Sequence, residues 1–216
     1  MRKVCYTAIF GDYDNHREPT VISDGWDYVL FTDNKEITSS VCDIRYVEPT
    51  MNSVRMARYI KIMYFDFLKD YDVYFWHDSS LQVNTDLNEF FTIDSDITLM
   101  KHPDRTCLFD EATTVMHEDI DKPFKILPQM EHYENLNMPY DYGLHATGLL
   151  LRKDNDMVRK FMSSWWSEIL RGSHRDQLSF DFVRWLYPNI SIKAIEKYWE
   201  LLERENGKFR FKPHGK

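Results

Sequence analysis

The chain has 216 residues, 43% hydrophobic and 15% aromatic, enough to bury one sizeable core within the usual domain length of roughly 100–200 residues. Its formal charge of −8 is spread without long blocks of one sign, which leaves no basic footprint for nucleic acid, and no apolar run approaches the roughly 18 residues that span a bilayer. Residues 1–6 lead into a strand-like run without the apolar core of a signal peptide, so the expectation is one soluble, cytoplasmic domain. Cys5, Cys42 and Cys107 have no CxxC spacing and read as reduced thiols, not as a disulfide framework or a zinc site; no role is assigned to them.

Residues 4–10 form an apolar run followed by the turn-rich Gly11-Asp12-Tyr13-Asp14, residues 28–32 a second run ending in Asp33-Asn34, and residues 41–47 a third. Each reads as a strand. Strands ending in Gly, Asp or Asn set polar groups along one sheet rim, where open α/β folds bind ligands, although ordinary turns use the same residues. Residues 53–69 carry Met56, Tyr59, Ile60, Met63, Tyr64, Phe67 and Leu68 at i, i+3, i+4 and i+7, which predicts an amphipathic helix as far as Lys69. Arg55, Arg58 and Lys61 lie outside that stripe. Cations in the first turns oppose the helix dipole, so either an anion sits against them or they are solvated surface charges.

Next, Val73-Tyr74-Phe75-Trp76 reads as a buried strand that stops at the polar tetrad His77-Asp78-Ser79-Ser80, before a second short apolar run to Val83. The tetrad is either a ligand site at a strand end or a surface turn. Asp86-Leu87-Asn88-Glu89 has the form of a capping box and reads as structural. Residues 97–100 predict a further strand. From 101 to 142, His102, Asp104, Arg105, Asp110, Glu111, His117 and His132 are scattered among four prolines, which predicts an irregular functional loop or lid with short helices. His117 and His132 read as surface histidines.

Residues 149–151 read as a short buried strand after Gly143 and Gly148, which permit a tight turn or close backbone approach to a ligand. Residues 154–170 predict a second amphipathic helix, with Met157, Val158, Phe161, Met162, Trp165 and Ile169 on one face, and Trp165 and Trp166 as core and not a sugar platform. Ser173-His174-Arg175-Asp176-Gln177 opens a third helix with Leu178, Phe182, Trp185 and Leu186 inward; there Asp176 has a reading as a mere helix-start residue. The tail is a helix over 199–205 ended by Gly207, or a hairpin turned at Asn206-Gly207. Alternation in Phe209-Arg210-Phe211-Lys212 favours the hairpin.

Transfer of a sugar from a nucleoside diphosphate needs the base held, the departing diphosphate neutralised and the acceptor hydroxyl aligned and deprotonated. A divalent cation on carboxylates bridges diphosphate oxygens as a Lewis acid, a role suited to Mn²⁺ or Mg²⁺. Asp78 with Ser80 supplies part of such a site, and His214 is the candidate for a further ligand, since imidazole is compatible with Mn²⁺.

Taken in order, several motifs resemble those of the glycosyltransferase-like family that includes the plant mucilage-related and turgor-regulation proteins. They are Tyr6-Thr7-Ala8-Ile9-Phe10-Gly11-Asp12-Tyr13-Asp14, Phe31-Thr32-Asp33, Ala57-Arg58 with Lys61, Trp76-His77-Asp78-Ser79-Ser80, His102-Pro103 with Arg105 and Cys107, and Arg175-Asp176-Gln177-Leu178-Ser179-Phe180. The resemblance runs from about residue 4 to 185. It implies a GT-A fold: a single α/β domain, 1–216, with a Rossmann-like mixed sheet flanked by helices, a nucleotide-binding half over 1–100, and an acceptor-side half with the C-terminal tail over 101–216. It also implies a hexosyl- or pentosyltransferase with a nucleotide-sugar donor, here a UDP-sugar, and a divalent cation, Mn²⁺ or Mg²⁺.

Motif by motif, Thr7, Ala8, Phe10 and Tyr13 would line the nucleoside, Asp33 would face the base, and Arg58 and Lys61 would meet ribose or phosphate. Asp78 would be the metal or diphosphate carboxylate. Asp176-Gln177 would lie beside the donor sugar, with Asp176 binding sugar hydroxyls or serving as base. Ser80 stands where many GT-A enzymes have a second carboxylate, leaving Asp78, Ser80 and His214 as the expected ligand set. His145-Ala146-Thr147 occupies a place where the family often has an acid. Stereochemistry stays open between inversion, with Asp176 as base, and retention. The acceptor stays open among a glycan, a lipid, a protein and a modified nucleic-acid base. Two other classes remain: a metal-dependent hydrolase of the amidase kind, short of ligands at suitable spacing, and a nucleotide-sugar-binding module without turnover.

Overall fold

The computed structural model describes residues 1–11, 13–196, 198–202 and 207–211; the predicted ligand His214 lies outside them. In chain order the elements are β1 (Lys3–Ile9), β2 (Trp26–Thr32), β3 (Asp43–Tyr46), α1 (Ser53–Ile62), β4 (Val73–His77), β5 (Leu81–Val83), α2 (Leu87–Phe90), β6 (Ile97–Lys101), α3 (Leu108–His117) and α4 (Pro123–Asn135). They continue with β7 (His145–Lys153), α5 (Asp156–Arg171), α6 (Gln177–Leu186), β8 (Ile192–Ile195), α7 (Tyr198–Leu201) and β9 (Phe209–Phe211). Seven strands form one mixed sheet in the order β3-β2-β1-β4-β7-β6-β8. β1 to β4 run parallel to one another, β7 runs antiparallel to both β4 and β6, and β8 lies parallel to β6.

The unbroken apolar run of β4 follows from its central place, because a strand covered on both faces has no solvent side to alternate with. Its pleat divides the run. Tyr74 and Trp76 enter the larger core with Met56 and Ile60 of α1, Trp165 of α5 and Phe180 of α6. Val73 and Phe75 enter a second core that β5 and β9 close with Leu81, Val83 and Phe209.

Three expectations change. The helix predicted to reach Lys69 ends at Ile62, and a single 3₁₀ turn, Tyr64–Asp66, follows. Its Lys61 carbonyl is taken by the Tyr6 hydroxyl at 2.8 Å and by Arg152 Nη1 at 2.7 Å, and so is withheld from the next turn. The apolar stripe hid this break because Tyr64 and Leu68 still reach the same core. The stretch 101–142, expected to be irregular, contains α3 and α4. Glu111 and Gln129 sit among their buried positions and Pro128 lies inside α4, which blurred the helical period. The tail strand does form and pairs antiparallel with β5, while Tyr198–Leu201 is helical and residues 203–206, with the predicted turn residue Asn206, lie outside the described residues. Among the described residues no helix is long and apolar enough to cross a membrane.

Arg152 locks the larger core. Fully buried on β7, it donates to the Lys61 carbonyl and the Tyr6 hydroxyl, and its guanidinium lies 4.3 Å from the Tyr64 ring centroid. A cation there also suits the negative end of the α1 dipole. Arg152→Ala removes two bonds to a charged donor, each worth about 1.5–3 kcal/mol, so a loss of about 3–5 kcal/mol is expected from urea denaturation. A loss below about 1 kcal/mol would contradict this role.

Candidate active site

The chain leaves β1 for β2 on one side and places β4 on the other, so the carboxyl ends of β1 and β4 flank the switch point of the parallel half-sheet. Open α/β sheets bind ligands in that crevice. A cleft opens there, walled by Ala8, Phe10 and Tyr13 after β1, by Ser53, Ala57 and Arg58 of α1, by Trp76, Asp78 and Ser80 from β4 onward, and by Arg175. Gly11 makes the wall possible. It has φ +64°, its amide donates to both Asp33 carboxylate oxygens at 3.0 and 3.2 Å, and a Cβ there would collide with the Ser53 hydroxyl.

Asp78 is held by a tight turn. Its amide donates to the Gly148 carbonyl and its carbonyl accepts from Leu81 N–H, each at 2.8 Å. His77 closes the turn from below, donating from Nδ1 to the Leu81 carbonyl at 2.8 Å, which fixes the neutral tautomer. Burial pushes the pKa of His77 down to about 4, against the hydrogen bonds to the Asp78 and Leu81 carbonyls. Trp76 Nε1 donates to Asp78 Oδ1 at 2.8 Å, and Gly148 leaves the other oxygen uncovered: a Cβ there would stand 3.4 Å from Oδ2.

Behind Asp78 lies the anion that the surplus cations called for, and it belongs to the protein. Lys61 is fully buried, and its Nζ donates to Asp176 Oδ2 at 2.5 Å and to Thr147 Oγ1 at 3.2 Å, and lies 3.5 Å from Asp78 Oδ1. Arg58 lies 3.5 Å from Asp176 Oδ1 and 3.9 Å from Asp78 Oδ1. Burial alone would raise the Asp176 pKa, but Arg58, Lys61 and the Lys61 hydrogen bond hold it well below the usual carboxylate range. Burial lowers the Lys61 pKa, with Asp176 and Asp78 opposing. Arg55 is drawn elsewhere, to the Gly172 carbonyl at 3.2 Å.

Asp176 occupies the N-cap position of α6 yet makes no capping bond, so its carboxylate serves the ion cluster and not the helix start. Gln177 accepts from Arg175 Nη2 at 2.8 Å. On the far wall, the buried carboxylate of Glu111 takes Arg105 Nε at 2.5 Å and Arg175 Nη2 at 3.9 Å, tying α3 to the cleft. Tyr198 of α7 is close enough for Asp78 and Arg175 to act on its titration; burial first, then Asp78, raises its pKa.

Of the residues predicted from sequence, Ala8, Phe10, Tyr13, Arg58, Asp78 and Ser80 line the cleft. Lys61 and Asp176 lie beneath it, Asp33 holds the Gly11 turn, and Thr7 is buried in β1 with no partner for its hydroxyl among the described residues. Residues that the prediction did not single out are Asp14, Trp76, Thr147, Arg175 and Tyr198. Asp14, Trp76 and Arg175 stood inside the quoted motifs and Thr147 in the stretch His145-Ala146-Thr147 where the family often has an acid, whereas nothing local marked Tyr198.

A family model, the TOD1/MUCI70 glycosyltransferase-like domain, matches residues 40–201. No curated protein matches this chain. Among solved structures, the apo form of mouse xyloside xylosyltransferase 1 is similar, with a TM-score of 0.50 and 11% identity over 99% of this chain and 95% of that one. At that identity the likeness speaks for the fold.

His77 gives the site a pH signature. Its folded pKa of about 4 lies below the ordinary 6.5, so the unfolded chain takes the proton first as pH falls. The stabilisation is complete above about 6.5 and is lost towards 4, by up to about 3 kcal/mol. His102 and His174 are lowered in the same way, first by burial, so the contribution of His77 is the difference between two proteins. Urea midpoints at pH 7 and 4.5 are expected to fall further in the wild type than in His77→Gln; equal falls would remove His77 as the cause.

Proposed function

The chain belongs to the TOD1/MUCI70 glycosyltransferase-like family, and on that premise we propose that it moves a hexosyl or pentosyl group from a UDP-sugar to an acceptor hydroxyl. The observation that carries this reading is the pairing of Arg58 and Lys61 with Asp78 and Asp176 at the mouth of the β1–β4 crevice. Within that balanced set Arg58 is the cation that lines the cleft, and its fixed position would set positive charge where a departing diphosphate gathers negative charge, since pre-organised charge in a partly dry site stabilises a transition state without reorganisation.

In this reading residues 8–13 form the nucleoside wall, with Asp33 acting through the Gly11 turn that it holds. Arg58 and Arg175 are the cations that line the cleft, and each keeps a buried Nε–H that makes no hydrogen bond among the described residues, that of Arg58 lying 3.5 Å from Asp176 Oδ1. Lys61 has no exposed surface, so it acts as a positioning residue for Asp78 and Asp176.

Mn²⁺ or Mg²⁺ fits this donor set in the sparse way such ions are held alongside phosphates, by one or two protein oxygens. Asp78 Oδ2 and the Ser80 hydroxyl would hold it, with His214 as the proposed third ligand. When bound, the ion supplies Lewis-acid charge to the leaving diphosphate.

Asp176 is stably ionised and committed to Lys61, Arg58 and Thr147, far from the near-neutral pKa that suits a general base. It therefore sits better beside the donor sugar with Gln177 than as the proton acceptor. The acceptor side falls to 101–142, joined to the cleft by the Glu111–Arg175 contact.

Isothermal titration with UDP and Mn²⁺ is expected to show binding that Arg58→Ala weakens about 10- to 100-fold, the worth of one charge-assisted contact. No binding by any nucleoside diphosphate would overturn the reading. Free or transferred sugar in a product assay with UDP-sugars separates turnover from binding alone.

A further inference from the structure

The loop after β1 and the turn before β3 bring three metal-ligating side chains together. His16, Glu18 and Cys42 each offer one donor atom within 4.8 Å of the other two, and among the described residues no other such group occurs. The His16 side chain is 10% exposed, and its Nε2 is buried without a hydrogen-bond partner, aimed at Glu18 Oε2 at 3.4 Å. Buried imidazole nitrogens are ordinarily hydrogen-bonded, whereas this one faces only the Glu18 carboxylate, beyond hydrogen-bond geometry.

The other two ligands are braced from behind. Ser40 N–H donates to Glu18 Oε1 at 2.7 Å and Ser39 Oγ donates to Glu18 Oε2 at 2.9 Å, while Ser39 Oγ accepts from Cys42 N–H at 2.7 Å. Such outer partners are what orient carboxylate and thiolate ligands at metal sites.

We propose that His16, Glu18 and Cys42 bind one Zn²⁺ ion. One nitrogen, one oxygen and one sulfur donor suit a borderline-soft ion and exclude Mg²⁺ or Ca²⁺, which take oxygen. Ligand bonds of roughly 2.0–2.3 Å put the donors of a tetrahedral ion about 3.3–3.8 Å apart, so the observed group closes onto zinc by small side-chain movements. Three protein donors leave the fourth position to water. On binding, the Cys42 proton is released to solvent as the zinc–sulfur bond forms.

The lack of CxxC spacing argued against zinc from sequence, but these ligands come from two separate loops, where spacing is silent. The ion would act as a clip. Asp14 accepts from Ser79 Oγ at 2.8 Å and Arg17 donates to the Ser79 carbonyl at 2.8 Å, and Gln82 Nε2 donates to the Glu18 carbonyl at 2.8 Å. Zinc would thus fasten the loop that walls the cleft beside Asp78 to the start of β3.

The test uses the whole chain, purified without chelator and assayed for metal by mass spectrometry. One zinc per chain is expected, lost in Cys42→Ser and kept in Asp78→Asn, which separates this site from the proposed donor cation. Metal-free protein titrated with Co²⁺ should develop a thiolate-to-cobalt absorption band that Cys42→Ser lacks, and added Zn²⁺ should raise the melting temperature of the wild type alone. A folded wild type that takes up neither ion, or a cobalt band that persists in Cys42→Ser, would overturn the assignment. Loss of zinc in Asp78→Asn with retention in Cys42→Ser would overturn it too.

Discussion

A lysine ammonium with no exposed surface sits between two carboxylates at the end of the first helix, and most of the site is arranged around that ion. Removing a charge from water costs several kcal/mol, and the cost is offset only where opposite charge and hydrogen bonds are supplied in good geometry. Lys61 receives both from three separate parts of the chain: Asp78 after β4, Thr147 on β7 and Asp176 before α6. Its backbone is gripped as well, since the Lys61 carbonyl is bound by Tyr6 of β1 and Arg152 of β7. One residue therefore fixes the end of α1, the strand end that carries Asp78 and the start of α6 relative to one another.

This explains which parts of the fold were legible in the sequence. The central strands and α5 were readable because their signals are local: continuous apolar runs where both faces are covered, and a 3.6-residue stripe through Val158, Phe161, Met162, Trp165 and Ile169. Lys61 could be seen to lie off the stripe of α1, and cations near a helix start called for an anion. That the anion was Asp176 could not be seen, because it lies far along the chain and imitates a capping residue. The early end of α1 was hidden for the same reason, its cause being Tyr6 and Arg152. In α3 and α4, buried polar residues tied to distant partners, Glu111 to Arg175 and Gln129 to Ser173 N–H, erased the periodicity that would have marked them.

The same long-range contacts separate the residues that line the cleft from those that set its chemistry. Tyr13 and Arg58 present surface to the cleft, with buried Ala8 and Phe10 behind them in its wall, whereas Lys61, Asp176 and Thr147 lie underneath and fix charge. A motif read along the chain makes no such distinction, since Arg58 and Lys61 are one helical turn apart and equally cationic. Burial distinguishes them, and burial depends on which face of α1 the sheet covers.

Charge balance gives the proposed cation its physical motive. Arg58 and Lys61 are matched by Asp78 and Asp176, and Arg105 and Arg175 share Glu111, so the cluster of four cations and three carboxylates carries only a small positive excess. A diphosphate that leaves with more negative charge than it brought exceeds that excess. A divalent ion on the uncovered oxygen of Asp78, if bound as proposed, would restore the balance without disturbing Oδ1, which Trp76 holds and the buried lysine faces. A second free acid beside Asp78 would compete for Lys61 and loosen the pair that orders the site, which is a physical reason for Ser80 to stand there.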